Sequence, residues 1–216
     1  RSSLLAYWGN AYKTNPPVSC TDGSVWTSYA AVFHLKESGF PYIDSTTAHP
    51  ATSGTAPVVT SAGMVGSGEA FDGTSQHVVP GVIDLGNTFS LSAWVNLDTT
   101  CTNMQPIFDS ASGTWNGNGV FLYVNGWNTA NQTLNLATGD GTTGTTATTS
   151  TGVVSFGTWH NVFASVNRTA GTVALYVDGA NLTTSGSATT DFANNALIDI
   201  GRLTNANNYF KGMLDE

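Results

Sequence analysis

The feature that most constrains the fold is a period-2 alternation of apolar and polar residues, which recurs between turns rich in Gly, Asn, Asp and Thr. Successive side chains of a strand point to opposite faces, so each such segment can bury one face against a partner layer. Helix signals are nearly absent. The pattern predicts an all-β, antiparallel β-sandwich, and its clearest strands are residues 89–97, 120–124, 133–137, 160–166, 172–177 and 197–200.

Three connecting segments are predicted from their composition. Residues 167–171 form a short link that ends in Gly, which is typical of a β-hairpin. Residues 138–152 are a low-complexity Gly/Thr segment that can bury almost nothing, so we expect a mobile loop there. Residues 50–63 have the composition of another exposed loop.

Composition excludes several classes of protein. With 40% apolar and 11% aromatic residues, the 216-residue chain can bury a sizeable core, which excludes global disorder. The net charge is −8 and there is no basic run, so no nucleic-acid partner is expected. No stretch approaches the roughly 20 apolar residues that cross a bilayer, so no membrane insertion of this chain is expected.

Thr, Ser, Asn, Gly and Ala fill the polar positions where a cytosolic protein would use Lys and Glu, which favours an extracellular or cell-surface location. The chain opens at Arg1 without a signal peptide, as a mature product or an excised fragment would. Its two cysteines are Cys20 and Cys101, an even number in a chain that looks exported. We therefore predict a disulfide between them that pins the N-terminal segment to the sandwich, the alternative being two unpaired thiols.

The order of motifs resembles that of laminin-G-like (concanavalin A-like) jelly-roll domains from bacterial and archaeal surface proteins. The matching segments are VFHLKES with IDSTTAHPATSG, GEAFDGTSQHVVPG, NTFSLSAWVNL, GTWHNVFASVN, TVALYVDGANL, IDIGRL and FKGMLDE. The resemblance implies a concanavalin A-like jelly roll over residues 31–216. Residues 1–30 are expected to be a linker or the tail of a preceding module, and they look like the end of a domain of unknown function that often precedes this jelly roll.

The resemblance has one departure at its end. The family usually continues beyond the final Asp-Glu motif with further strand residues, whereas this sequence stops at Glu216. Either the chain is trimmed there, or another chain supplies the remaining strand.

The fold also hosts glycoside hydrolases and polysaccharide lyases, but the residues do not favour catalysis. Retaining glycosidases need two neighbouring carboxylates, and laminarinase-type enzymes of this fold place them in an E-x-D-x-x-E strand that is missing here. There is no G-x-S-x-G elbow, and the histidines lack metal-ligand spacing. We therefore expect no enzyme activity.

Calcium is the cofactor that the resemblance implies, as one possible structural Ca²⁺ that ties an early loop to the C-terminal motif. By resemblance its ligands are Asp44 and Asp215, with loop carbonyls around Asp72 and Gly73. Carboxylate and carbonyl oxygens are the ligands that Ca²⁺ prefers. The alternative for Asp44 and Asp72 is turn formation, since Asp side chains accept hydrogen bonds from their own backbone.

Two tryptophans lie in polar, Gly/Asn-rich segments on either side of strand 120–124, where large aromatics are often functional. In that strand Val120, Leu122 and Val124 form the core face, which places the intervening aromatics on the outer face. The predicted ligand-binding residues are Trp115, Asn118, Tyr123, Trp127 and Asn128. The alternative is that both tryptophans fold down onto the end of the sandwich.

The function that these observations favour is a non-catalytic extracellular binding module, glycan-binding or adhesive, within a larger surface protein. The alternative is a self-assembling subunit of a surface layer, filament or adhesin stalk. The partners are accordingly a glycan or neighbouring subunits of a surface protein. A glycoside hydrolase or polysaccharide lyase is the third possibility.

Overall fold

The structure, a computed structural model, describes residues 22–111, 116–193, 195–204 and 208–216. A 3₁₀ helix, Ser24–Trp26, precedes the strands. The strands are β1 Ser53–Thr55, β2 Val58–Thr60, β3 Gly68–Asp72, β4 His77–Asp84, β5 Thr88–Leu97, β6 Gln105–Asp109, β7 Gly119–Val124, β8 Leu134–Gly139, β9 Gly144–Thr149, β10 His160–Asn167, β11 Thr172–Val177, β12 Ala180–Asn181, β13 Thr183–Ser185, β14 Asn195–Ile200, β15 Arg202–Leu203, β16 Asn208–Tyr209 and β17 Lys211–Asp215.

These strands form two large antiparallel sheets and one small hairpin. The eight-stranded sheet has the order β1-β4-β14-β6-β7-β8-β9-β13, and the seven-stranded sheet has the order β12-β11-β10-β5-β17-β3-β2. Strands β15 and β16 pair with each other as a separate two-stranded sheet. The predicted all-β sandwich of the concanavalin A-like jelly-roll class is therefore confirmed.

The main core lies between the two large sheets, and period-2 alternation selects the side chains that enter it. From β10, Val162, Ala164 and Val166 are buried there. From β7, Val120, Leu122 and Val124 are buried, as the sequence predicts. Each fully buried Val or Leu side chain contributes about 1.5–3 kcal/mol to folding. The apolar residues at alternate positions of these strands therefore determine which face is buried, and their burial stabilises the sandwich.

The segment before β1 also contributes to this core. Leu35, Tyr42 and Ala51 are each at most 5% exposed, and Tyr42 and Ala51 exchange both backbone hydrogen bonds at 2.9 Å. Cys101 is buried, and its thiol donates to the Lys211 carbonyl at 3.4 Å. Cys20 lies outside the described residues, so the disulfide stays a prediction. Within the described ranges, no helix is long and apolar enough to span a membrane.

The loop predictions for two segments are partly wrong, because each segment contains strand residues. Residues 50–63 include β1 and β2, and residues 138–152 include β9. Thr is β-branched and therefore suits a strand despite being polar. In β9 its hydroxyl groups also take part in the hydrogen bonding, because the Thr149 hydroxyl accepts from the Leu134 N–H at 2.9 Å. The predicted hairpin over residues 167–171 is confirmed by the pairing of β10 with β11.

Candidate functional site

The turn between β7 and β8 is fixed by asparagine side chains. The Asn125 side chain is buried, donates from Nδ2 to the Asn103 carbonyl at 3.0 Å, and accepts from the Gln132 N–H at 2.7 Å. Asn131 Oδ1 accepts from the Gly126 N–H at 3.0 Å. These bonds satisfy polar backbone groups of the turn locally and stabilise its conformation.

This turn presents Trp127 to solvent. The residue is 56% exposed, which makes it a large exposed apolar side chain. Its neighbour Asn128 is also exposed, and the Asn128 N–H donates to Asn103 Oδ1 at 2.7 Å. Asn125 and Asn128 have φ of 64° and 51°, a left-handed backbone that Asn tolerates better than most residues. The result is an indole ring held out on a well-anchored turn.

The predicted recognition residues do not form one surface. Asn118 precedes β7, whereas Trp127 and Asn128 follow it, and a six-residue strand separates its ends by about 20 Å. Asn118 instead accepts a hydrogen bond from the Ala193 N–H. Trp115 lies outside the described residues. Of the predicted recognition residues that the structure describes, Trp127 and Asn128 lie together at one end of β7, and Asn118 lies at the other end.

Tyr123, one of the predicted ligand-binding residues, is buried. It lies on the outer face of the eight-stranded sheet, as predicted, but it is only 7% exposed and stacks on Phe121 with ring centroids 4.8 Å apart. Met104 and Leu203 complete a second small apolar cluster on this face. Burial raises the pKa of the Tyr123 hydroxyl. Since the cluster covers the ring, Tyr123 cannot stack on a ligand.

The same outer face carries a carboxylate pair that sequence reasoning missed. Asp109 on β6 and Asp199 on β14 are direct cross-strand partners, and both are 0% exposed. Asp109 accepts from the N–H groups of Ala111 at 2.7 Å and Thr204 at 2.8 Å. Arg202 donates from Nε to Asp199 Oδ2 at 2.7 Å and also from Nη2. The pair is thus held by backbone donors and one guanidinium.

A hydrogen-bonded Ser-His-Asp set also occurs, although no elbow motif predicts it. His160 bonds through Nε2 to the Ser155 hydroxyl and through Nδ1 to Asp178, both at 2.8 Å. The Ser155 N–H also donates to His160 Nε2, at 3.2 Å. In serine hydrolases the N–H of the nucleophile commonly helps to stabilise the oxyanion. Here that group points at the imidazole, so the arrangement fits a structural tie between β10, β11 and the preceding loop.

The predicted calcium ligand Asp44 does not fit a metal. It is 1% exposed, and its carboxylate accepts from the N–H groups of Val32, Thr46 and His49 at 2.8–2.9 Å, as well as from the Thr46 hydroxyl. Burial raises its pKa, but these donors outweigh burial and leave the pKa lowered. The carboxylate therefore has the turn-forming role that the sequence offered as the alternative.

The other predicted calcium ligands are separated by the sheet register. Asp72 pairs with Lys211 at the start of β17, and Asp215 lies four residues further along, or about 13 Å. The Asp72 carboxylate accepts from the N–H groups of Thr74, Ser75 and Gln76, and Gly73 has φ of 76° in the same turn. One ion therefore cannot bind both ends of β17. Across the described residues, no group of three or more His, Cys, Asp or Glu side chains could hold a metal.

Asp215 alone of the predicted ligands keeps an unpartnered oxygen. It is fully buried, its Oδ2 accepts from the Val65 N–H at 2.7 Å, and its Oδ1 has no hydrogen-bond partner among the residues that the structure describes. Burial raises its pKa. A calcium ion that ties Asp44 to Asp215 is thus not supported by the donor set, although one oxygen of Asp215 could accept a ligand.

Comparison with known proteins gives the family. A laminin G family model, described as the concanavalin A-like lectin/glucanases superfamily, matches residues 71–216. No curated protein sequence matches the chain significantly.

Similar solved structures share the fold at low identity. One is domain 4 of an extracellular arabinanase from Geobacillus stearothermophilus in complex with arabinotriose (TM-score 0.56, 18% identity, 87% of this chain and 91% of that chain). A second is the sialidase of Trypanosoma rangeli (TM-score 0.59, 17% identity, 86% and 29%). A third is botulinum neurotoxin type C, whose cell entry depends on interaction with two ganglioside molecules (TM-score 0.54, 14% identity, 79% and 42%). The chain thus spans less than half of the last two proteins.

The family match covers more than half of the sequence, and the two antiparallel sheets have the architecture that the family implies. This chain therefore belongs to the laminin G family of the concanavalin A-like lectin/glucanases superfamily.

Proposed function

We propose that the chain is a non-catalytic, extracellular glycan-binding module of a larger surface protein, and that Trp127 is its stacking platform. The observation that carries the proposal is the 56% exposure of this indole on a turn held by asparagine side chains. A large exposed aromatic ring on an ordered turn is costly to leave in water, and it commonly marks a binding surface.

The chemistry of the turn suits a sugar. A pyranose or furanose ring presents an apolar C–H face that can stack on indole, while its hydroxyl groups need polar partners such as the exposed Asn128. Stacking is worth about 1–3 kcal/mol, by analogy with nucleobases on aromatic side chains. Because the turn is already ordered, little further entropy is lost on binding. One such platform predicts weak binding, with Kd on the order of 1 mM.

Two of the fold relatives have glycan ligands, arabinotriose for the arabinanase domain and gangliosides for the neurotoxin. These ligands support testing neutral arabinose-type oligosaccharides and ganglioside headgroups as two separate classes. The turn segment itself is uncharged, since residues 125–134 contain no Asp, Glu, Lys or Arg. This composition favours neutral sugars as ligands.

The test is a glycan array followed by titration calorimetry on the best ligand. Trp127→Ala should abolish measurable binding. Tyr29→Ala is the matched control, because Tyr29 is an aromatic residue of similar exposure, 59%, far from the turn in sequence. Equal binding by wild type and Trp127→Ala would move the site elsewhere, and no binding to any glycan would reject the function.

A second candidate function, self-assembly with neighbouring subunits, is favoured by the exposed edge strand β2. It is the last strand of the seven-stranded sheet, and Val58 and Val59 are 61% and 36% exposed. Met64 and Val65, which follow, are 46% and 59% exposed. An exposed apolar edge with free backbone groups can pair with a strand of another chain.

Light scattering after size-exclusion chromatography tests this second function. If β2 mediates assembly, wild type should form concentration-dependent oligomers and Val58→Lys should be monomeric. Val82→Lys is the control, because Val82 is 52% exposed but lies on the internal strand β4. A monomeric wild type at high concentration would reject assembly through this edge.

A further inference from the structure

The outer face of the seven-stranded sheet carries a row of aromatic side chains. Alternation places Trp94 of β5, Phe163 of β10 and Tyr176 of β11 on this face, because their neighbours in each strand pack in the core between the sheets. All three are partly exposed, and none of them belongs to the core cluster. Phe163 and Tyr176 are direct cross-strand partners, and their rings meet edge to face with centroids 5.5 Å apart.

The three rings form one aromatic platform that runs obliquely across β11, β10 and β5, which are adjacent in the sheet. Phe163 pairs directly with Ser92 of β5, and Trp94 lies two residues further along that strand. With strands about 4.8 Å apart and a rise of about 3.4 Å per residue, the backbones of Tyr176 and Trp94 are separated by roughly 12 Å. This span is longer than one sugar ring, so the platform can contact several units of an extended ligand.

The side chains around the rings are polar and uncharged. Five of them, on β5 and β10, have no side-chain hydrogen bond within the described part of the chain: Ser90, Ser92, Asn96, Asn161 and Ser165. Their hydroxyl and amide groups can therefore bind a ligand. Strands β5, β10 and β11 contain no Asp, Glu, Lys or Arg. Asp215, which pairs with Trp94 from β17, is 0% exposed and adds no charge to the surface.

Beside the aromatic platform lies an open groove of about 410 Å³. Asn96 and Met213, which are direct cross-strand partners, line it together with Ala70 and Gly157. Asn96 lies two residues from Trp94 and on the same face, so the groove and the platform are continuous. The groove adds both an apolar side chain and an amide group to the surface that a ligand could contact.

We propose that the aromatic platform and its groove bind an extended, neutral polysaccharide. The apolar C–H faces of successive sugar units stack on the rings, and their hydroxyl groups bond to the serine and asparagine side chains. Those polar groups favour a sugar over a protein partner, whose interface would have a more apolar centre. The proposal rests on glycan binding as the function of the chain, but the Trp127 turn is a separate site, since it joins two strands of the other sheet.

The first experiment is electrophoresis in native gels that contain linear arabinan, galactomannan or hydroxyethylcellulose, with polygalacturonate as the charged comparison. At least one neutral polymer should retard the wild type, and polygalacturonate should not. Phe163→Thr and Trp94→Thr each remove a ring but keep a residue that suits a strand, and each should weaken binding about tenfold, as the loss of one stacked unit would. A wild type that no neutral polymer retards would overturn the proposal.

Ser92→Arg guards against ring variants that do not fold, because Ser92 is exposed and its replacement removes no packed side chain. The long arginine side chain would stand beside Phe163 and block the aromatic platform. Ser92→Arg should therefore keep the wild-type Tm and lose retardation. Ser53→Arg is the matched control, since Ser53 is an exposed serine of β1 in the other sheet. A folded Ser92→Arg that binds like Ser53→Arg would contradict the proposal.

Trp127→Ala separates this site from the turn. It should keep its retardation by the polymer, whatever it does to the binding of short oligosaccharides. If Trp127→Ala abolishes retardation while Phe163→Thr retains it, the turn binds the polymer and the present proposal is wrong. Size-exclusion chromatography tests the protein alternative: a wild-type oligomer that Ser92→Arg dissociates would make this face a contact between copies and would also overturn the proposal.

Discussion

Asp109 and Asp199 face each other across neighbouring strands, fully buried, and the Arg202 guanidinium forms an ion pair with Asp199. Burial is the main cause that raises the pKa of both carboxyls, and the Asp199 charge raises that of Asp109 further. Arg202 opposes this effect at Asp199 through its hydrogen bonds and its charge. Arg202 is therefore the main side chain that offsets the burial of Asp199, and His77 adds a smaller electrostatic effect.

Arg202→Met should destabilise the protein by about 3 kcal/mol at neutral pH, because it leaves buried carboxylates without their cation. Since the raised pKa values mean that the folded state binds protons more tightly, stability should fall as pH rises from about 4 through the folded pKa values. This fall should be steeper in the variant than in wild type. Urea unfolding between pH 4 and 8 measures both effects.

Lys211→Met is the control for that series. Lys211 lies 3.5 Å from Asp98, and both side chains are about 40% exposed, so this pair should contribute under about 1 kcal/mol. A cost for Arg202→Met as small as that of Lys211→Met, at every pH, would contradict the interpretation of the buried pair.

Asp44→Asn should destabilise the protein by about 2 kcal/mol at pH 7, because the amide cannot accept from all of the donors that surround the carboxylate. The lowered pKa of Asp44 means that its contribution is present above the usual carboxyl pKa and is lost as pH falls through the folded value. The difference from wild type should thus shrink in acid. It should be equal in chelator and in calcium, and a cost that disappears in chelator would instead make Asp44 a metal ligand.

His160→Gln should lower stability by about 1–2 kcal/mol, since it disrupts the hydrogen bonds to Ser155 and Asp178. Wild type should not react with a fluorophosphonate probe, because the Ser155 N–H is engaged by the imidazole and does not point to an oxyanion site. Peptide mass spectrometry after probe treatment checks this. Labelling at Ser155 that is lost in His160→Gln would show an activated nucleophile.

Gly212→Ala should cost at least about 3 kcal/mol. Gly212 lies on β17 with φ of 140°, and a Cβ there would be 2.3 Å from the Asn96 carbonyl oxygen of β5. Gly39→Ala is the control, because Gly39 has φ of 153° but nothing within 4 Å of an added Cβ. It should show only the backbone strain, about 1–3 kcal/mol. Equal Tm losses in the two variants would mean that the sheet absorbs the clash.

The sequence predicts the sandwich well because strand alternation is a local signal. Val120, Leu122 and Val124 could be assigned to the core from their spacing alone. The register between strands distant in the chain is not local, so the pairing of Asp109 with Asp199 could not be predicted. The same limit explains why the carboxylates at the two ends of β17 looked compatible with one ion.

The candidate recognition residues show a second limit. The polar, Gly/Asn-rich composition around Trp127 was the signal that singled out this residue in the sequence. The burial of Tyr123 was not predictable, since the side chains that cover it, Met104 and Leu203, come from distant parts of the sequence. Alternation tells which face a residue is on, and it does not tell whether something else covers that face.

Strand β17 pairs with β3 on one side and with β5 on the other, so it is an internal strand of the seven-stranded sheet. During synthesis, every other strand of this sheet leaves the ribosome before it, and the gap between β3 and β5 stays open until residue 215 is free. The two unfilled edges can then pair with other chains. The seven-stranded sheet can therefore close only once β17 has entered between β3 and β5, so its assembly waits for the last strand described here.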